Sequence, residues 1–397
     1  MADDSVPHEG LTHLKKYDVK DSNVELIGSN LDHQVKYNSA QTEPAWKKVG
    51  QEAGLFIWRI EQFQVIPWPK EKYGKFHEGD SYIVLHSRKV GQGEHEHLEH
   101  DIFFWLGKDT SQDEAGTAAY KTVELDEYLS GKASQHRELQ DNPSAEFLSL
   151  FPRITILHGG VATGFRHVEE QKPEETLILY QITKAIPAQG SNTPSAKTST
   201  LVKQVEPTFA SLVEDDCFIL DRGTKVIVWQ GKKASPIEKA KAAQVAHDLT
   251  LSRQASTEVL AQGDSRSFAF LEPLGGKSTD PIPSSADRPA SVPAGRRPKR
   301  LFKLSDASGQ LRFDLVREGQ ASQSDFDSQD VFLLDTGVHI WVWQGSGASA
   351  GEKSSWLKVI YAYIHSFDPS DSQPHLSPVA KVNEGSENAA FKAALAA

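Results

Sequence analysis

With 397 residues, of which 38% are hydrophobic and 24% charged, and a formal net charge of -11, the chain is long enough for two to four domains of about 100–200 residues, each burying its own core. The acidic balance excludes duplex DNA as the main partner, because such binding draws its affinity from Lys and Arg neutralising phosphates; cations and basic surfaces fit better. A single cysteine, Cys217, excludes an internal disulfide, and its place in the apolar run Cys217-Phe218-Ile219-Leu220 reads as a buried small hydrophobe.

The opening residues MADDSVPHEG lack a basic segment followed by an apolar one, and no run of about 18 apolar residues occurs, so a cytoplasmic protein without a transmembrane segment is expected. Read for self-similarity, the chain shows one pattern three times: an acid, an apolar run, a turn, a second run containing Trp, then a helix. The first copy has Asp80-Ser81-Tyr82-Ile83-Val84-Leu85 and Ile102-Phe103-Phe104-Trp105-Leu106-Gly107, joined by a hairpin carrying His95, His97 and His100. In the helix that follows, Ala115, Ala118, Ala119, Thr122, Leu125 and Leu129 share a core face, and Gly116, Tyr120, Val123 and Glu127 form an opposite stripe with two sizeable apolar side chains. Such a stripe, if exposed, suits a partner groove.

The second copy has Asp216-Cys217-Phe218-Ile219-Leu220-Asp221 and Val226-Ile227-Val228-Trp229-Gln230-Gly231. The third has Asp330-Val331-Phe332-Leu333-Leu334-Asp335 and His339-Ile340-Trp341-Val342-Trp343-Gln344-Gly345. Trp105, Trp229 and Trp343 stand 124 and 114 positions apart, which is domain spacing. The expected organisation is a leader 1–37, repeat 1 at 38–168, repeat 2 at 172–274, a Pro/Ser/Gly-rich flexible linker 275–298 and a mobile repeat 3 at 299–397, in an α+β architecture.

A Glu lies nine residues after each of these Trp residues: Glu114, Glu238 and Glu352. Each closes an S-x-x-E run from Ser111, Ser235 or Ser349, the sequence of a helix capping box. Capping does not explain the acids Asp80, Asp216 and Asp330 that open the first strands, a residue type disfavoured there. The recurrence favours a hard cation such as calcium, held by carboxylates and backbone carbonyls.

Other signals are weaker. The histidine hairpin reads either as a zinc site or, given Glu94, Glu96 and Glu99, as a solvated tip. Gly276-Lys277-Ser278 mimics a phosphate loop, but Leu271 stands at its first glycine, and no H-E-x-x-H or C-x-x-C occurs, so no enzyme is expected. Arg296, Arg297, Lys299 and Arg300 read as a solvated linker end, a nuclear address or a phosphoinositide contact.

The segments Gly54-Leu55-Phe56-Ile57-Trp58-Arg59-Ile60-Glu61, Ser111-Gln112-Asp113-Glu114, Tyr120 to Leu129 and Gln135-His136-Arg137-Glu138 resemble the gelsolin family, and the three-repeat length with the leader Lys20-Asp21-Ser22-Asn23 looks like its severin and fragmin members. The resemblance implies three repeats, each a mixed β-sheet sandwiched between a long and a short helix. It implies a monomeric, calcium-dependent, cytoskeletal protein that binds actin, severs filaments and caps their barbed ends, or one that caps or binds monomers without severing. Tyr120, Val123, Glu124 and Glu127 would contact actin. Calcium would be held in repeat 1 by the Gly79 carbonyl, Asp80, Glu114 and the Val161 carbonyl; in repeat 2 by Asp215, Asp216 and Glu238; in repeat 3 by Gln329, Asp330 and Glu352. An ion shared with actin would use Asp126 and the carbonyls of Gly131 and Ala133. Family members carry basic runs for phosphoinositides and filament sides; in Phe151 to His158 and Leu177 to Lys184 these are thin.

Overall fold

The computed structural model describes residues 40, 42–91, 93–160, 177–184, 200–251, 253, 255–277, 279–287, 297–367 and 377–396. Val161 and the leader segment Lys20 to Asn23 lie outside them. Repeat 1 comprises β1 (Gly54–Glu61), β2 (Gln64–Pro67), β3 (Lys75–His77), β4 (Ser81–Val90), β5 (His97–Leu106), α1 (Gln112–Tyr128), β6 (Ser134–Leu139), α2 (Ala145–Ser149) and β7 (Ile154–Leu157). Repeat 2 comprises β8 (Ile178–Lys184), β9 (Thr200–Val205), β10 (Cys217–Asp221), β11 (Lys225–Gln230), α3 (Pro236–Leu251), β12 (Ser256–Ala261) and α4 (Phe268–Leu271). Repeat 3 comprises β13 (Arg300–Ser305), β14 (Arg312–Glu318), β15 (Val331–Asp335), β16 (Ile340–Gln344), α5 (Ala350–His365), β17 (Val379–Asn383) and α6 (Ala389–Ala396).

The unbroken apolar runs β10 and β15 are buried on both faces, as strands covered by helices on either side must be. Each repeat accordingly has two cores. In repeat 1, Ala115, Ala118 and Leu125 of α1 pack on Ile83, Leu85, Ile102 and Phe104, while Phe147 and Leu148 of α2 pack on Tyr82, Val84, Phe103 and Trp105 across the sheet. The same division places Ala242 and Val245 of α3 opposite Phe270 of α4, and Ile360 and Tyr363 of α5 opposite Phe391 of α6. A sheet between a long and a short helix is therefore present three times.

The sheets cross repeat boundaries. One has ten strands in the order β14-β13-β15-β16-β17-β6-β5-β4-β1-β2. Its seam is an antiparallel pairing of β17 with β6, matching Val379 with Arg137, Ala380 with His136 and Lys381 with Gln135. Repeat 3, expected to move relative to repeat 2, is paired through this seam with repeat 1. The other sheet runs β12-β11-β10-β8-β9-β7-β3, so two strands of repeat 1 extend the sheet of repeat 2.

Two further expectations are corrected. Part of the linker is docked on repeat 2: Ile282 joins its core, the Glu214 amide donates to the Pro283 carbonyl at 3.0 Å, and Asp215 accepts from Ser284 Oγ and the Ser285 amide. One apolar residue amid the polar stretch supplies the anchor. Arg296 lies outside the described residues, and the other three residues of the basic cluster are likewise structural: Arg297 is buried in a two-point ion pair with Asp335, Lys299 donates to the Ala394 and Leu395 carbonyls of α6, and Arg300 pairs with Glu318. A cation near the end of a helix complements its carbonyl dipoles.

Candidate functional site

The three strand-opening acids and the three helix-start glutamates are all buried, Asp80 and Glu114 at 0% and 8% exposure, Asp216 and Glu238 at 6% and 3%, Asp330 and Glu352 at 4% and 1%. One backbone device fixes each acid. The amides of Gly107, Gly231 and Gly345, which follow the second strand, donate to the carbonyls of Asp80, Asp216 and Asp330 at 3.0, 3.1 and 3.1 Å. A side chain on any of these glycines would strike the carbonyl oxygen of Glu78, Glu214 or Ser328, so only glycine permits the approach.

The three capping boxes differ in side-chain geometry. In repeats 2 and 3 the box closes in both directions: the amides of Glu238 and Glu352 donate to Ser235 and Ser349, and each carboxylate accepts the serine amide in return, at 2.7 and 3.0 Å. In repeat 1 the Glu114 amide donates to Ser111 at 3.2 Å, while the Glu114 carboxylate turns to Thr110 Oγ1 at 3.4 Å. Burial first, and the Asp80 charge second, push the Glu114 carboxyl up to about 7. Burial likewise raises Asp216, opposed by its bond from Gln181. Crowded buried carboxylates that resist ionisation suit a cation that neutralises them.

The other predicted donors are placed as follows. The Gly79 amide donates to the Gly159 carbonyl at 2.9 Å, bringing the chain before Val161 over the site, with Gly160 against the Asp80 carboxylate. The Asp215 side chain faces the linker, so its backbone is what remains near Asp216. The Gln329 amide donates to Asp327. Among the described residues no three His, Cys, Asp or Glu side chains converge as a metal-binding group, so backbone carbonyls would have to complete each set. That holds for the histidine hairpin too: His100 bonds Ser87, and His97 bonds the His95 carbonyl.

Asp126 projects from α1 toward the loop that follows. Its Oδ1 accepts from the Ala133 amide at 2.9 Å and its Oδ2 from Gln135 Nε2 at 2.6 Å. The sequence reading missed what closes this loop: Lys381 Nζ lies 3.4 Å from Asp126 Oδ2, and Asn383 Nδ2 donates to the Gly131 carbonyl at 2.6 Å. Both belong to β17 of repeat 3. A lysine inside a buried strand was the available signal.

The stripe on α1 also differs from expectation. Gly116 is exposed, but Tyr120, Val123 and Glu127 are half-buried. Glu124 is fully buried, accepting from Trp46 Nε1 at 2.9 Å and from Lys121 at 3.0 Å, while Lys121 also pairs with Glu43. The segment before β1 covers this flank because Trp46 brings both an apolar ring and a donor to it.

Against known proteins, the family model described as the gelsolin repeat matches residues 63–148, 198–269 and 312–392. The chain is 40% identical to "Gelsolin-like protein 2" of Lumbricus terrestris over 392 residues, covering 98% of this chain and 100% of that protein. It is 36% identical to "Severin" of Echinococcus granulosus, covering 89% and 92%, and 37% identical to "Actin depolymerising venom protein gelsolin 1" of Platymeris rhadamanthus, covering 86% and 88%. Three repeats with one burial scheme and one set of paired acids agree with these matches, and the chain belongs to the gelsolin family.

Proposed function

We propose that this chain is a non-catalytic, calcium-dependent actin-binding protein of the cytoplasm that severs filaments and caps their barbed ends. The observation that carries the reading is the seam at Asp126: the carboxylate and the Gly131 carbonyl, both suited to a hard cation, are held by Lys381 and Asn383 of another repeat. A protein built to present α1 to a partner only when an ion competes for these groups would be arranged in this way. Relatives that match along most of their length and bear the names severin and actin depolymerising protein support the choice of actin.

Asp80 with Glu114 and the Gly79 carbonyl would hold an ion in repeat 1, and Asp216 with Glu238 and the Asp215 backbone would hold one in repeat 2; Asp126 with the Gly131 and Ala133 carbonyls would hold the ion at the partner surface. Bound calcium would supply positive charge to carboxylates that burial otherwise disfavours. On the protein's side, release of β17 from β6 frees Asp126 and the 131–133 loop, and Tyr120, Val123 and Glu127 form the contact surface of α1. Glu124, buried under Trp46, acts by holding the helix flank. The division into 38–168, 172–274 and 299–397 serves this scheme, with the first two repeats engaging the filament and the third restraining them.

Imaging single labelled filaments in calcium and in chelator tests the proposal, because breaks and stalled ends are seen separately. Breaks and stalled barbed ends in calcium are expected. Stalled ends without breaks would reduce the function to capping, and equal activity in chelator would remove calcium from it.

A further inference from the structure

One residue faces the strand-opening acid from the neighbouring strand in every repeat, and its identity changes. Arg59 on β1 pairs across the sheet with Tyr82, Gln181 on β8 with Phe218 and Lys303 on β13 with Phe332. Each partner lies two positions after the acid, so the three side chains occupy one structural position. All three reach the acid: Arg59 Nη1 lies 3.4 Å from Asp80 Oδ2, Gln181 Nε2 lies 2.6 Å from Asp216 Oδ2, and Lys303 Nζ lies 2.5 Å from Asp330 Oδ2.

They do so with different chemistry. The Arg59 guanidinium is anchored elsewhere, by Glu61 at 2.7 Å from Nε and by the Trp68 ring 4.8 Å away, and touches Asp80 only at long range. Gln181 is neutral, and its amide can turn to present oxygen instead of nitrogen. Lys303 gives Asp330 a full positive charge at about the 2.3–2.6 Å distance of a calcium–oxygen contact. The helix-start glutamate does not distinguish repeat 3 from repeat 2: Glu352 accepts from the amides of Ser349 and Asp306 at 3.0 and 2.7 Å, and Glu238 from those of Ser235 and Lys184 at 2.7 and 3.1 Å. What separates repeat 3 from repeat 2 is therefore the full positive charge held against its strand-opening acid, which an arriving cation would meet.

We infer that Lys303 is a tethered cation occupying the repeat 3 site, which a calcium ion must displace, and that the residue at this strand position sets the calcium affinity of each repeat. The inference rests on the calcium reading above. Because the Lys303 side chain is 36% exposed, the ammonium can leave for water without burying its charge, so the site is weakened and not abolished.

Calorimetric calcium titration of the full chain, with melting curves on the same samples, tests it. Lys303→Gln, which copies repeat 2, is expected to tighten the weakest binding step roughly tenfold, as loss of one adjacent positive charge at a partly solvated site implies. Asp330→Asn added to it should abolish that gain. Gln181→Lys, which copies repeat 3, should weaken a tighter step by a similar factor, and it decides the matter if Lys303→Gln fails the circular-dichroism check for folding. Wild-type binding with both isotherms unchanged would overturn the inference and leave the calcium reading intact, whereas a wild-type chain giving neither binding heat nor a melting shift would overturn both.

Discussion

Lys381 Nζ reaches Asp126 Oδ2 at 3.4 Å across the seam between repeats 3 and 1, with only 10% and 6% of the two side chains exposed. The contact joins the restraining repeat to the carboxylate that an ion at the partner surface would need. Lys381→Ala should therefore lower the calcium concentration at which actin binding is half-maximal, roughly fivefold for a contact worth about 1 kcal/mol. Asp126→Asn should reduce calcium-dependent binding of monomeric actin, since an amide nitrogen facing Gln135 replaces an acceptor. Co-sedimentation across a calcium series reads both; a half-point unmoved by Lys381→Ala would show that the seam does not compete with calcium.

Trp46 ties the segment before β1 to α1 by stacking edge-on against Trp58, with ring centres 5.1 Å apart, and by its bond to the buried Glu124. Trp46→Phe keeps most of the apolar volume and leaves Glu124 with one donor fewer, a loss of about 1–3 kcal/mol. Trp46→Ala adds a cavity and should cost about 3–5 kcal/mol. Urea denaturation of the two variants separates the terms: equal losses would mean that the ring volume adds nothing to the hydrogen bond, and no loss in Trp46→Phe would mean that the hydrogen bond contributes nothing.

Arg297 and Asp335 form an ion pair with side-chain exposures of 5% and 0%, and Asp335 also accepts from Tyr363 Oη at 2.8 Å. Arg297→Met should destabilise repeat 3 by about 3–5 kcal/mol, because it strands a buried carboxylate. Limited proteolysis should then cut within repeat 3 first. Wild-type resistance would return the cluster to the solvated role read from sequence.

The features legible in the sequence are those that repeat. Asp, Trp and Glu at fixed offsets gave the three units, their paired helices and the acids of each site, because each is imposed by contacts within one repeat. The resemblance grouped Asp126 with Gly131 and Ala133, and its carboxylate does accept from the Ala133 amide. What remained hidden depends on contacts between distant segments. Lys381 of β17 and Gln135 of β6 are 246 positions apart, and no local pattern says that two edge strands will pair. The burial of Glu124, which the resemblance places at the actin contact, was hidden because its cover, Trp46, belongs to another segment. Arg297 looked like part of a solvated cluster because its partner Asp335 lies across repeat 3. The capping boxes read from the S-x-x-E runs close in both directions at Glu238 and Glu352, whereas the Glu114 carboxylate turns to Thr110.

Two groups near the seam, the half-buried His339 and the fully buried Glu138, give the protein opposing responses to pH. His339 stacks on Trp341 at 4.3 Å with Nε2 enclosed and without a partner, and burial, with the His136 imidazole adding to it, lowers its pKa from the ordinary 6.5 to about 3. A lowered histidine pKa gives stability that is present above about 6.5 and is lost as the pH falls through about 3. Glu138, fully buried and accepting from Ser144 N and Oγ at 2.7 Å each, is pushed by burial from 4.5 up to about 7. Its contribution has the opposite sense, present below about 4.5 and lost as the pH rises through about 7. Asp101, lowered to about 2 by its bond from His136 working against burial, does not titrate until the pH falls below 3.8. Between pH 7.5 and 4.5 the wild-type melting temperature should thus change little from these two groups. His339→Phe keeps the ring stack and removes the acid-sensitive group, so its melting temperature should rise on acidification relative to wild type. Glu138→Gln removes the other, and its melting temperature should fall. A divergence of at least ~3 °C between the variants is expected, the scale of roughly 1 kcal/mol in a domain of this size. Parallel curves would show that neither group changes protonation on unfolding in this range.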